Sequence, residues 1–172
     1  MLLVFVVLWA IVSSGCGYSL AGRGSFLPAY IKTIGVPLFQ NHTPVYDIER
    51  QITDKVRAEL VGRGKYTVET TETGDAVLLG EIIAVTLTPA AFTEQQQASR
   101  YVLTLVVKVD FKDRKADKVL WSNPALQFRE EYEITNTTTI DANAFLGQNA
   151  NALERLATEF ARSVVSAILE AF

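Results

Sequence analysis

SRYVLTLVVKVDFK, Ser99 to Lys112, is the stretch that decides the fold. Tyr101, Leu103, Leu105, Val107, Val109 and Phe111 alternate with Val102, Thr104, Val106, Lys108, Asp110 and Lys112. Successive side chains of a strand point to opposite faces, so this period of two predicts a strand with one core face and one mixed face. The polar turn DRKADK follows, Asp113 to Lys118, so the next strand should return antiparallel. It is expected from about Val119 to Ile134, with Leu126, Phe128, Tyr132 and Ile134 continuing the alternation and an interruption near Asn123-Pro124. Upstream, AVLLGEIIAVTLT, Ala76 to Thr88, is rich in β-branched residues and reads as a strand that Pro89 closes.

Further out, the pattern changes. Ile31 to Gln40, IKTIGVPLFQ, reads as a first strand with Pro37 near its end. NHTP, Asn41 to Pro44, is turn chemistry and carries the chain's single histidine, His42. From Tyr46 to Leu60, Ile48, Ile52, Val56 and Leu60 recur every fourth residue, the spacing of one helix face, and Gly62 and Gly64 should end that helix. Tyr66 to Thr70 is a short second strand, which can lie parallel to the first across the helix. Phe145 to Phe172 reads as a long closing helix with the stripe Leu153, Leu156, Ala157, Phe160, Val164, Ile168 and Leu169. The expectation is an α+β two-layer sandwich: a mostly antiparallel sheet of four or five strands packed against two helices.

At the N-terminus, Leu2 to Val12 is an uninterrupted apolar run, the length of a signal-peptide core and too short to span a bilayer. The small residues Ser13, Ser14 and Gly15 follow, then Cys16, the only cysteine. Small residues are what a signal peptidase accepts before its cut. Acylation of a cysteine freed there would explain its position, its solitude and its neighbours together, and several acyl chains on it make a durable anchor. Residues 1–15 are thus expected to be a lipoprotein signal peptide, 16–29 a flexible Gly-rich tether, and 30–172 one α+β domain. Gly17 stands after the cysteine where retained lipoproteins carry Asp, which favours the outer membrane.

The chemistry-bearing motifs of common enzymes are missing. No G-x-S-x-G, HExxH, CxxC or phosphate-binding loop occurs. His42 lacks a second histidine or a free thiol with which to hold a metal, and an acylated Cys16 has no thiolate for catalysis. By alternation Glu131 and Glu133 lie opposite Phe128 and Tyr132, on a solvated face. Neither catalytic residues nor cofactors nor metal ligands are expected. The net charge of −3, without a basic cluster, disfavours a nucleic-acid partner.

CGYSLAGRG after the apolar run, followed by LPAYIKTIGVPLFQNHTPVYDIERQITDKVRAEL, resembles the LptE lipopolysaccharide-assembly lipoproteins. Cys16, Gly17, Tyr18 and Leu20 carry the distinctive start; Pro28, Ile34 to Val36, Ile52 and Gly62 follow in order. The resemblance implies a domain anchored to the inner leaflet of the outer membrane and seated inside an LptD-type β-barrel. There it would act as plug and assembly factor while lipopolysaccharide passes to the surface. Lipopolysaccharide itself is a further expected ligand. The stretches that carry basic residues in the family read AAFTEQQQASR and TTTIDANAFLGQN here. Arg100 and Lys108 are the nearest cations for an anionic headgroup, and a solvated strand face is the plainer reading of Lys108. The alternatives are a stand-alone lipid-carrier lipoprotein, which needs a concave apolar cavity, and a subunit of another outer-membrane export complex.

Overall fold

The computed structural model describes residues 27–63, 65–94, 98–133, 141–148 and 150–170. Cys16 and the signal-peptide and Cys-Gly-Tyr segments lie outside these residues, as do Gly64, Ile134 and the two C-terminal positions. Within them the chain runs β1 (Thr33–Gly35), β2 (Gln40–Asn41), α1 (Ile48–Gly62), β3 (Thr67–Glu69), β4 (Ala76–Phe92), β5 (Ala98–Asp113), β6 (Lys118–Glu133), α2 (Ala142–Gln148) and α3 (Ala150–Glu170). The strands form a single sheet in the order β3-β1-β4-β5-β6, with β2 also on β4.

The α+β two-layer class holds, with corrections in detail. Among the described residues there are six strands rather than four or five. The β1–β3, β1–β4 and β2–β4 pairs are parallel, while β4–β5 and β5–β6 are antiparallel. The sheet is therefore mixed. The extra strand arises because Pro37 breaks the expected first strand: β1 pairs with Ala76 and Val77 of β4, and β2 resumes beside Glu81 and Ile82 on the same edge.

Helix side chains satisfy the backbone across that break. The Arg57 guanidinium donates twice to the Val36 carbonyl, at 3.0 and 2.8 Å. The buried Thr53 hydroxyl accepts from the Phe39 N–H at 3.0 Å and donates to the Glu49 carbonyl at 2.6 Å. Each is a buried or half-buried polar group that would otherwise lose its hydrogen bond to water.

The strand alternation of Ser99–Lys112 is realised residue by residue: every odd position from Tyr101 to Phe111 is buried and every even one half-buried. Ile48, Ile52, Val56 and Leu60 of α1 are buried, as are Leu153, Leu156, Ala157, Phe160, Val164 and Ile168 of α3. The two helices lie side by side and cover one face of the sheet. They are joined at the rim by Lys55–Glu154 (2.8 Å) and by Arg63, which reaches Ser166 at 2.7 Å. α1 starts two residues later than its periodicity suggested and ends at Gly62, with the right-handed Arg63 as its cap.

Two expected ends moved for identifiable reasons. β4 continues through Pro89 to Phe92: among the described residues β2 accompanies β4 only at Glu81 and Ile82, so Pro89 lies where β4 has β5 alone beside it, an edge position that tolerates proline. β6 runs unbroken through Pro124, but its partner register jumps there from Asn123 to Leu126, and the Ala125 N–H donates to the Asn123 side chain instead of to a neighbouring strand. The closing helix is realised as α2 followed by α3. At 16 or 17 residues, β4, β5 and β6 extend about 55 Å, well past the roughly 30 Å of α3. The short α2 extends the cover, burying Phe145 and Leu146, with the Phe145 ring 5.2 Å from that of Tyr132. No helix among the described residues is long and apolar enough to cross a membrane.

Candidate functional site

The helices leave the other face of β4, β5 and β6 uncovered by secondary structure, and both sequence-predicted cations lie on it. Lys108 sits in a polar row that crosses β4, β5 and β6 and reaches the residue that follows β2. Its ammonium donates to Glu81 Oε1 on β4 at 2.7 Å and lies 3.9 Å from Asp110. The Ser122 hydroxyl on β6 donates to Asp110 at 2.6 Å, and His42, just past β2, approaches Glu81 at 4.0 Å. The Glu81 hydrogen bond, then its charge, holds the Lys108 ammonium above its ordinary pKa.

Arg100 lies nearer the β4–β5 hairpin tip. Its guanidinium is 3.5 Å from Glu131 and 3.4 Å from Glu133 on β6. The two cations are thus held apart by eight residues of one strand, each with carboxylate partners of its own. Threonines and valines fill the face between them: Thr86, Thr88, Val102, Thr104 and Val106. An anion approaching either cation would have to compete with these carboxylates, whose exposed pairs hold with about 0–1 kcal/mol.

At the opposite end of the sheet is a network that the sequence reading missed. Asp75, just before β4, accepts from the N–H groups of Lys32 and Thr33 at 2.9 and 3.1 Å, from the Thr33 hydroxyl at 3.0 Å, and from Lys115 at 2.7 Å. Those contacts, that with Lys115 foremost, hold its carboxyl far below the usual range. Asp113, at the end of β5, is buried. Burial works against its ionisation. The Tyr30 hydroxyl and the N–H groups of Ala116 and Lys115 more than offset this, and its pKa is lowered. Tyr30 in turn rises through that hydrogen bond, and Lys115 lies 5.5 Å over its ring. Two carboxylates thereby bind the entering chain, Tyr30 to Thr33, to the β5–β6 turn. Leu27 is already part of the core. One signal was available: the period of two carried a step past Phe111 puts Asp113 on the core face.

The chemistry of these groups is that of holding strands together. Among the described residues no group of three or more His, Cys, Asp or Glu side chains is placed to hold a metal. Glu131 and Glu133 are exposed and face Arg100, as alternation predicts. Glu130, on the helix side, accepts from the Tyr132 hydroxyl at 2.6 Å. Burial, then this hydrogen bond, pushes the Tyr132 phenol up to about 12.

Several solved structures share this architecture. The lipoprotein B of Nitrosomonas europaea is 15% identical with a TM-score of 0.54, over 90% of this chain and 94% of that one. A minor lipoprotein from Acinetobacter baumannii is 14% identical with a TM-score of 0.51, over 84% and 95%. A PelC dodecamer from Paraburkholderia phytofirmans is 15% identical with a TM-score of 0.51, over 81% and 87%. At such identities these likenesses speak to the fold alone. No curated protein sequence matches the chain. The profile of the LptE family, described as lipopolysaccharide-assembly, matches residues 31–168, which takes in the broken first strand, the mixed sheet and nearly all of both long helices. The chain belongs to the LptE lipopolysaccharide-assembly family.

Proposed function

We propose that this protein is a non-enzymatic outer-membrane lipoprotein, acylated at Cys16 and facing the periplasm, that partners and plugs an LptD-type β-barrel during lipopolysaccharide assembly. The family match over residues 31–168 carries the reading. The physical form of the domain suits it. A lipid tether concentrates the domain beside outer-membrane partners. An elongated two-layer wedge with an ion-paired polar face is compatible with the hydrated lumen of a wide barrel. Buried side chains of the described residues form one contiguous cluster between the layers, which includes Phe39, Phe111, Phe145 and Phe160. That packing favours a space-filling role over a lipid carrier. Arg100 and Lys108 remain the proposed contacts for a lipopolysaccharide headgroup, in exchange for their carboxylate partners.

The test is affinity purification from detergent-solubilised outer membranes. A large β-barrel protein should co-purify in a fixed ratio, and Cys16→Ser should release the domain from the membrane fraction. Recovery of small proteins only, with normal surface lipopolysaccharide after depletion, would overturn the reading.

A further inference from the structure

Cations without an acid partner collect at the end of the sheet where the chain enters. Among the described residues, Lys32, Lys65, Lys112, Arg114, Lys118 and Arg129 have no carboxylate within ion-pair distance. All but Arg129 sit at that end. Lys32 directly precedes β1, and Lys65 lies two residues before β3, whose Thr67 stands beside Thr33. Lys112 and Arg114 flank the last residue of β5, and Lys118 opens β6 opposite it. Lys112 is half-buried and the other four are exposed. The carboxylates of the clasp do not offset them, since Asp75 is engaged by Lys115 and Asp113 by Tyr30. Tyr30 and Val119 add an exposed ring and an exposed aliphatic side chain at the same end.

The opposite end has the reverse sign. There Glu130, Glu131 and Glu133 close β6 against Arg100 and Arg155. An anionic surface therefore attracts one end of the wedge and repels the other. The chain outside the described residues says which surface that is, on the acylation of Cys16 proposed above. From Cys16 to Leu27, already part of the core, the chain reaches at most about 40 Å. That is less than the roughly 55 Å of the long strands, so the anchor holds the domain by its basic end.

We propose that this basic end, with Lys32, Arg114 and Lys118 foremost, docks on anionic phospholipid headgroups of the leaflet that carries the anchor. Lysine and arginine give phosphate oxygens charge-assisted hydrogen bonds. Each cation near an anionic bilayer strengthens the contact by roughly fivefold. Acyl chains alone fix a point; a basic patch beside them is a second attachment, which sets the tilt of the domain.

Lysine acetylation read by mass spectrometry tests it, on protein purified from membranes and reconstituted into vesicles. In phosphatidylcholine mixed with phosphatidylglycerol, Lys32 and Lys118 should react roughly fivefold more slowly than in phosphatidylcholine alone. High salt should remove the difference, and Lys55, within α1, should react alike in both lipids. Arg114→Glu should abolish most of the protection at Lys32 and Lys118, whereas Arg129→Glu, towards the far end of β6, should leave it unchanged. Should Arg114→Glu lose its far-UV circular dichroism, Arg114→Gln takes its place and should lower the protection severalfold. Flotation with phosphatidylcholine alone reads the anchor separately. A chain that does not float there refutes the acylation, and its acetylation on the anionic vesicles still reads the patch. Equal reactivity in both lipids, protection that survives high salt, or protection untouched in the folded Arg114 variant overturns the proposal.

Discussion

Gly80 and Phe39 should be energetically coupled, because the glycine exists to admit the ring. Gly80 lies on the helix-facing side of β4, opposite Val109. A methyl group there would stand 2.3 Å from two ring carbons of Phe39, where ordinary carbon contacts are about 3.5–4.0 Å. The ring would have to retreat by roughly 1 Å or more. Phe39 is buried and its ring meets Phe160 edge-on at 6.3 Å between centroids, while Phe160 also meets the Phe128 ring at 5.3 Å. Overpacking of this kind costs about 1–3 kcal/mol. Alanine offsets part of that, since glycine in a strand is worse by about 0.5–1 kcal/mol. Gly80→Ala should therefore destabilise by about 1–2 kcal/mol net. Phe39→Ala alone should cost about 3–5 kcal/mol, the usual range for a buried phenylalanine. In the double variant the new methyl enters the space the ring has left, so the second substitution should be neutral or mildly stabilising, a coupling of about 1–3 kcal/mol. Urea unfolding of the purified chain, followed by circular dichroism and extrapolated linearly to water, measures all four corners. If Gly80→Ala costs the same in both backgrounds to within about 0.5 kcal/mol, the steric account of this contact is wrong.

Two other predictions concern the ends of the sheet. Asp75 is more acidic in the native state than in the unfolded chain, so the unfolded state takes up its proton first. Its stabilisation is full above about pH 4 and is lost as the pH falls towards its lower native value. Thermal melts between pH 6 and 2 should show this acid limb, and Asp75→Asn should flatten it; a limb of unchanged slope would show that the clasp does not couple to folding. Arg57→Met keeps the aliphatic stem but leaves the Val36 carbonyl without its two donors. A loss of about 1–3 kcal/mol in urea is expected, and a loss below about 0.5 kcal/mol would mean that water takes the guanidinium's place.

The uncovered face matters to the proposed role through the identity of its pairings. Lys108 and Arg100 were legible as cations on one face of one strand. Their partners were not. Glu81 faces Lys108 only because β4 bulges between Ile82 and Ala84. That bulge moves the core-facing set from Ala76, Leu78, Gly80 and Ile82 to Val85 and Leu87. Read as sequence, AVLLGEIIAVTLT has no consistent phase, and its register cannot be deduced from itself.

Local periodicity alone determined β5, the buried face of α1 and the buried stripe of α3, because burial of one face requires apolar residues at the repeat of the element that carries them. It also determined that β6 returns after the polar turn, and placed a disturbance at Asn123-Pro124. Tertiary structure decided everything that depends on which distant backbone lies alongside. It split the first strand around Pro37 and supplied Arg57 and Thr53 to mend the gap. It carried β4 through Pro89, opened a slot at Gly80 for the Phe39 ring, and joined Asp75 and Asp113 to an entering chain some 40 and 80 residues earlier. A chain's pattern records which face of each segment avoids water; the partner across the ladder is chosen by register, and register is fixed by bulges and long-range packing that leave no period in the sequence.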